Sequence, residues 1–206
     1  MSGKTKTWTI GITGASGVRY GIKMIDVLLE HLPNITLNLI LSESALRVMH
    51  EEEDRKITTG PDFLPQLLGR PISLEEQDRV QLLSNRDIGA CVASGSSSSD
   101  GMTIIPCSMK TLAAIACGYS QNLIHRAADV TIKEGRPLIL VPRESPLSTI
   151  HLENMLKLAR INGVKIVPAM PGFYSKPESV ADIVNAVVMR VVDQMGEKLN
   201  ISGRWE

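Results

Sequence analysis

The sequence predicts an α/β fold: a doubly wound parallel sheet with helices on both faces. Two observations carry this. Short apolar runs recur along the chain, as in WTIGIT, ITLNLIL, GMTIIP, PLILVP and VKIVP. Segments of helical periodicity separate them, with glycine, serine and proline at the hand-over points. A third observation sets the scale, because 206 residues suit one domain with a sizeable core. The core is expected over about 7–195, with a C-terminal tail over 196–206.

The elements follow in order. A strand is expected over roughly 7–13, then a glycine turn, then a helix over roughly 18–32. ITLNLIL (35–41) reads as the second strand and SALRVMHEEE as the helix after it. Residues 54–90 are broken by Pro61, Pro65, Gly69 and Pro71, and are expected to be irregular with short elements. GMTIIP (101–106) reads as a buried strand, LAAIACG as a helix packed through small residues, and NLIHRAADVTIKEG as a helix stopped by Gly135. PLILVP is the clearest central strand. TIHLENMLKLARING puts Ile150, Leu152, Met155, Leu156 and Ala159 on one helical face, with Gly163 at its C-cap. VKIVPAMP is the last strand and SVADIVNAVVMRVVDQM the last helix, capped by Ser179.

Composition excludes several classes. Hydrophobic residues make up 43% and charged residues 21%, ordinary for a globular protein. Lysine plus arginine and aspartate plus glutamate each total 22, so net charge is zero. Neither a basic block nor a basic helix face points to nucleic acid or an anionic membrane. No run approaches the ~18 apolar residues of a membrane span. MSGKTKTW also lacks a signal peptide's apolar stretch, so a cytoplasmic protein is expected. The three cysteines and four histidines show no C-x-x-C or H-E-x-x-H spacing, and no metal is expected.

In such a sheet ligands meet the loops beyond the strands' carboxyl ends. The loops at 13–17, 42, 106–111, 142–148 and 168–176 are therefore expected at one edge. GITGASGVRYG places Gly11, Gly14 and Gly17 at a spacing that fits neither the dinucleotide fingerprint nor the triphosphate loop. It reads as an anion site at a helix N-terminus, against the plainer reading of a tight turn that binds nothing. The serine run in VASGSSSSDGM reads first as a polar linker and second as a ligand loop. In PCSMKT, Ser108 and Thr111 either cap a helix or donate to an anion. Arg143 and Glu144 end the most apolar strand, either as an ion pair or as site residues. Arg126 and Lys133 are two helical turns apart, on one helix face that is ordinarily solvated. Tyr174 lies in the PGFY loop, and Arg190 sits among apolar neighbours where it needs an anionic partner or a route to water. The set is rich in donors and cations and poor in nucleophile partners. Chemistry on a phosphorylated small molecule is favoured over acyl hydrolysis.

TGASG, ASGS, PCSMKTLAAIACG, NLIHRAADVTIKEGRPLILVPRE, PLSTIHLENMLKL and PGFY together resemble the UbiX family of flavin prenyltransferases. The likeness runs from about residue 9 to Trp205. It implies a flavodoxin-like fold and a metal-independent transferase. The reaction it implies joins the dimethylallyl group of dimethylallyl monophosphate to N5 and C6 of reduced FMN. Prenylated FMN would then serve a UbiD-type decarboxylase, and the family's homododecamer with sites between subunits is implied too. By motif, Gly14, Ala15, Ser16, Ser42, Ser108, Met109, Lys110, Thr111 and Arg126 would bind FMN. Tyr174 and Arg190 would bind the prenyl phosphate. Lys133, Arg143, Glu144 and Ser16 would form the catalytic set, with Glu52 a weaker match inside the EEE run. Many relatives have an aromatic and a basic residue where this chain has Ser96–Ser99, so a differently shaped prenyl pocket is expected. The alternatives are an FMN-dependent decarboxylase of the same fold and a non-catalytic FMN carrier.

Overall fold

The computed structural model describes residues 5–58 and 60–199; Trp205 and the rest of 200–206 lie outside them. Among the described residues the strands are β1 (Lys6–Ile12), β2 (Ile35–Leu41), β3 (Val80–Ser84), β4 (Gly101–Cys107), β5 (Leu138–Pro142) and β6 (Val164–Ile166). They form one sheet in the order β3-β2-β1-β4-β5-β6. Every neighbouring pair is parallel. The helices are α1 (Val18–His31), α2 (Glu43–Glu53), α3 (Phe63–Leu68), α4 (Leu74–Asp78), α5 (Met109–Ala116), α6 (Leu123–Lys133), α7 (Thr149–Ala159) and α8 (Val180–Gln194). The doubly wound parallel sheet is as the sequence predicts.

Strand alternation explains the layers. Trp8, Ile10 and Ile12 pack on one face with α1, α2, α3 and α8. Met102, Ile104, Leu138 and Leu140 pack on the other face with α5 and α6. Ile25 and Leu28 of α1 are fully buried. Each such side chain contributes roughly 1.5–3 kcal/mol through lost contact with water. Strand order reverses between β1 and β4, which puts the topological switch point between the loops at 13–17 and 107–109.

The structure sharpens three expectations. The stretch 54–90 is irregular with short elements as expected, and one of these, not singled out from the sequence, is the edge strand β3. Gln81 and Ser84 are exposed there, so the apolar signal is diluted, and the prolines upstream mask it. The apolar face of α7 forms as expected and points outward: Ile150, Leu152 and Leu156 are all more than half exposed, and Leu158 is the residue packed inward. Arg190 is not buried either. Its apolar neighbours Val188, Met189 and Val191 turn to the core while its own side chain points out and donates to Asp193 at 3.1 Å.

The excursion between β2 and β3 is tied down by charge. Arg70 donates to Asp26 of α1 at 2.8 Å and to Glu76 of α4 at 2.6 Å, and Lys23 reaches the same Asp26 at 3.0 Å. The Arg70 guanidinium and the Ser73 backbone N–H hold the Glu76 carboxyl at about 2, below its usual 4.5. A depressed carboxyl contributes stability that is whole above the unfolded value and is lost as pH falls towards the folded one. Arg70→Met is therefore expected to be less stable than the wild type at about pH 6, with a smaller gap at about pH 3. Urea midpoints at the two pH values test this. A gap of equal size at both would show that the ion cluster is not responsible.

Candidate functional site

The turn after β1 is built around what it must touch. Thr13 joins the two loops of the switch point: its hydroxyl donates to Pro106 O at 2.8 Å and accepts from Ser108 N–H at 2.7 Å. Gly14 lies flat against the first turn of α2. A Cβ there would run into the Ser44 side chain and stand 3.1 and 3.2 Å from its backbone carbon atoms. Gly17 has φ +96°, a conformation suited to glycine, and it caps α1.

The α1 N-terminus already carries an anion. Gly17 N–H donates to both oxygens of Glu52, at 2.9 and 3.2 Å. At the Gly17 N–H the protein's own carboxylate stands where the sequence offers a helix N-terminus to an anion. The three glutamates point three ways: Glu51 pairs with Arg47, Glu53 with Arg19, and Glu52 with the glycine loop. Arg143 approaches the same loop from β5, donating to Ser16 O at 3.1 Å.

Beside this loop a cleft of about 920 Å³ opens at the carboxyl ends of the strands. Gly14, Ser42, Ser108, Lys110 and Thr111 line it, as the sequence expects of a ligand site. So do Thr13, Glu43, Asn85, Arg86, Asn122 and His125, which the sequence reading did not single out. Three helix starts meet here. Ser42 accepts from Ala45 N–H at 3.0 Å, Ser108 from Thr111 N–H at 3.4 Å and Asn122 from His125 N–H at 3.0 Å. Capping and lining are thus compatible roles for Ser42 and Ser108. The N-termini of α2, α5 and α6, with Lys110, make the cleft attractive to an anion.

The other site residues stand apart from it. Ala15 and Met109 are buried and Ser16 is exposed. Arg126 turns to Ala93 O at 3.2 Å and Asp129 at 2.9 Å. Lys133 ends α6 beside Glu134, close to Gly95, at the edge where β4 and β5 begin. The serine run lies at that same edge, with Ser99 held by Thr9 at 3.0 Å and Asp100 by the start of β1. Lys133 is therefore a sheet's height from the cleft within its own chain. Glu144 and Tyr174 are exposed, Glu144 accepting from Ser145 N–H at 3.0 Å. Burial pushes the Cys107 thiol up, which leaves no thiolate nucleophile at that position.

Comparison with known proteins gives this geometry a family. The flavoprotein family model matches residues 1–192. The flavin prenyltransferase UbiX of Pseudomonas aeruginosa is 42% identical over 209 residues, covering 100% of this chain and 96% of that protein. The chain belongs to the UbiX family of flavin prenyltransferases. It is accordingly a transferase. A solved UbiX (AnUbiX, PadA1) in complex with FMN and dimethylallyl pyrophosphate superposes with TM-score 0.83 at 36% identity, covering 98% of each chain. A dodecameric FMN-dependent UbiX-like decarboxylase from Escherichia coli O157:H7 does so with TM-score 0.82 at 44% identity, covering 97% of this chain and 99% of that one. The chain thus carries the switch-point cleft, the capped helix starts and the close glycine turn, while of the seven charged residues matched by motif only Lys110 lines the cleft. Among the described residues no helix is long and apolar enough to cross a membrane.

Proposed function

We propose that the chain transfers a dimethylallyl group from dimethylallyl monophosphate to N5 and C6 of reduced FMN. Prenylated FMN then goes to a UbiD-type decarboxylase. The observation that carries the reading is the near full-length match to a UbiX that holds FMN and a dimethylallyl phosphate ester. The cleft fits a flavin mononucleotide. Gly14 admits no Cβ, so the glycine loop packs closely on α2, whose cap Ser42 lines the cleft. Ser42, Ser108, Lys110 and Thr111 line the cleft with donors for its polar end. Ala15, Ser16 and Met109 shape the adjoining loops, and bound FMN supplies the electron-rich ring that takes the five-carbon unit.

The chain's own groups have three tasks. Lys133, Arg143 and Arg190 stabilise charge on the departing phosphate, which makes a metal unnecessary, and Tyr174 orients it. Glu144 accepts the proton released from N5, gives one to the prenyl double bond as the C6 bond closes and takes up the proton released from C6. One proton leaves in all, with Ser16 and Glu52 at the loop beside Glu144. The chemistry also requires that water be kept from the allylic centre. Lys133, Arg126 and Arg190 stand away from the cleft of their own chain, so they serve the cleft of a neighbouring copy. This favours a homododecamer with sites between subunits. The exposed Ile150, Leu152 and Leu156 face of α7 suits such contacts. The Ser96–Ser99 stretch then shapes the prenyl pocket from a neighbour.

A decarboxylase reading needs a histidine from early in the chain. His31 and His50 are exposed on α1 and α2, and neither lines the cleft. A passive FMN carrier leaves the Lys133, Arg143, Glu144 and Arg190 set without a task. Activation tests the proposal. Filtrate from the chain with reduced FMN and dimethylallyl monophosphate should activate an apo UbiD-type decarboxylase. Filtrate no better than one made without the prenyl donor would overturn it.

A further inference from the structure

Arg86 and Glu43 belong to the cleft wall, yet the proposed chemistry gives neither a task. Arg86 follows β3 and Glu43 opens α2, and the guanidinium donates to the carboxylate between the ends of β3 and β2. Their side chains are 84% and 72% exposed, so water screens the pair and it is weak. Of the residues that line the cleft, Glu43 is the only carboxylate, and Arg86 and Lys110 are the lysine and arginine cations. Arg86 is thus held in the cleft wall by a partner that a stronger anion displaces. A phosphate monoester is such an anion, because it carries more charge than a carboxylate and accepts the planar guanidinium on two N–H groups.

The run of the cleft says where a phosphate would lie. Arg143 comes from β5, donates to Ser16 O at 3.1 Å, and is followed in the chain by Glu144. The proposed bonds to N5 and C6 form beside these groups, so the flavin ring lies at the end of the cleft nearest β1 and β4. The cleft extends the other way, past Leu41 and Ser42 at the end of β2 to Leu83, Ser84 and Arg86 at the end of β3. β3 stands two strands from β1, about 10 Å along the sheet edge. A five-carbon ribityl chain ending in a phosphate bridges that gap. Lys110 follows β4 at the ring end, so Arg86 is the cation on the side the tail takes.

We propose that Arg86 leaves Glu43 to grip the phosphate of bound FMN and so discriminates FMN from riboflavin. The inference rests on the proposed function, which supplies FMN and the placing of its ring. It is tested with the full chain by titrating FMN and riboflavin separately and following flavin fluorescence. Arg86→Met should weaken FMN binding about tenfold, the loss expected for hydrogen bonding to a charged group. Arg86→Lys, which keeps the charge without the planar fork, should stay within about threefold of wild type. Glu43→Gln should act in the opposite sense and strengthen FMN binding about threefold, because Arg86 then has no carboxylate to leave. Riboflavin affinity should be unchanged in all three. Both side chains are mostly exposed, so the variants should fold as the wild type does. Normal FMN binding by Arg86→Met would overturn the proposal, as would equal losses for FMN and riboflavin or weaker FMN binding by Glu43→Gln. A wild-type chain that takes up neither flavin would overturn the proposed function instead, and the ligand assigned here with it.

Discussion

Glu144→Gln should slow prenyl transfer by about 10²–10⁴-fold, the usual contribution of a positioned general base, with FMN binding unchanged. Glutamine keeps the shape and can still accept from Ser145 N–H, as Glu144 does at 3.0 Å. What it cannot do is take up a proton. The change leaves Ser42, Ser108, Lys110 and Thr111 in the cleft untouched, so the ground-state grip on FMN should survive it. Single-turnover rates and flavin titration separate the two quantities. Equal losses in binding and rate would make Glu144 a structural residue, and a normal rate would remove it from the reaction.

Gly14→Ala should act on binding. The added methyl meets the Ser44 side chain, with the Ser44 backbone only 3.1 and 3.2 Å away, so α2 must retreat from the glycine loop. Overpacking of this kind costs about 1–3 kcal/mol. Because α2's cap Ser42 lines the same cleft, we expect FMN affinity to fall by about tenfold to a hundredfold. Gly14→Ala combined with Ser44→Gly should recover part of the loss, since one of the two clashing groups is gone. Gly14→Ala with wild-type affinity would show that the packing of the loop on α2 does not position the cleft.

The sequence made the sheet legible where strands are buried on both faces. PLILVP and GMTIIP are continuous apolar runs because helices cover both sides of β5 and β4. β3 escaped because an edge strand with exposed Gln81 and Ser84 carries a weaker pattern. That omission had a consequence for the site. Asn85 and Arg86 follow β3, and Asn85 holds the first turn of α6 by accepting from Ile124 N–H at 3.2 Å. Without β3, nothing in NLIHRAAD says that His125 reaches the cleft.

Periodicity also has a blind side. It finds an apolar stripe without saying what covers it, and the α7 stripe is exposed in one chain. For Arg190 the reverse holds. Apolar neighbours in sequence lie about 100° apart around a helix, and Val188 and Val191 bury themselves without taking residue 190 along. The Glu52 contact was equally hidden, because three consecutive glutamates offer three registers and only the αL turn at Gly17 selects one. The loops at Gly14, Ser42 and Ser108 were legible because each follows a readable strand.

The most direct measurement is the mass of the flavin itself. The chain is incubated anaerobically with reduced FMN and dimethylallyl monophosphate, and the flavin is extracted for accurate mass. A gain of one C5H8 unit, absent when either the protein or the prenyl donor is left out, is the predicted result. Flavin of unchanged mass from protein shown to bind FMN would contradict prenyl transfer.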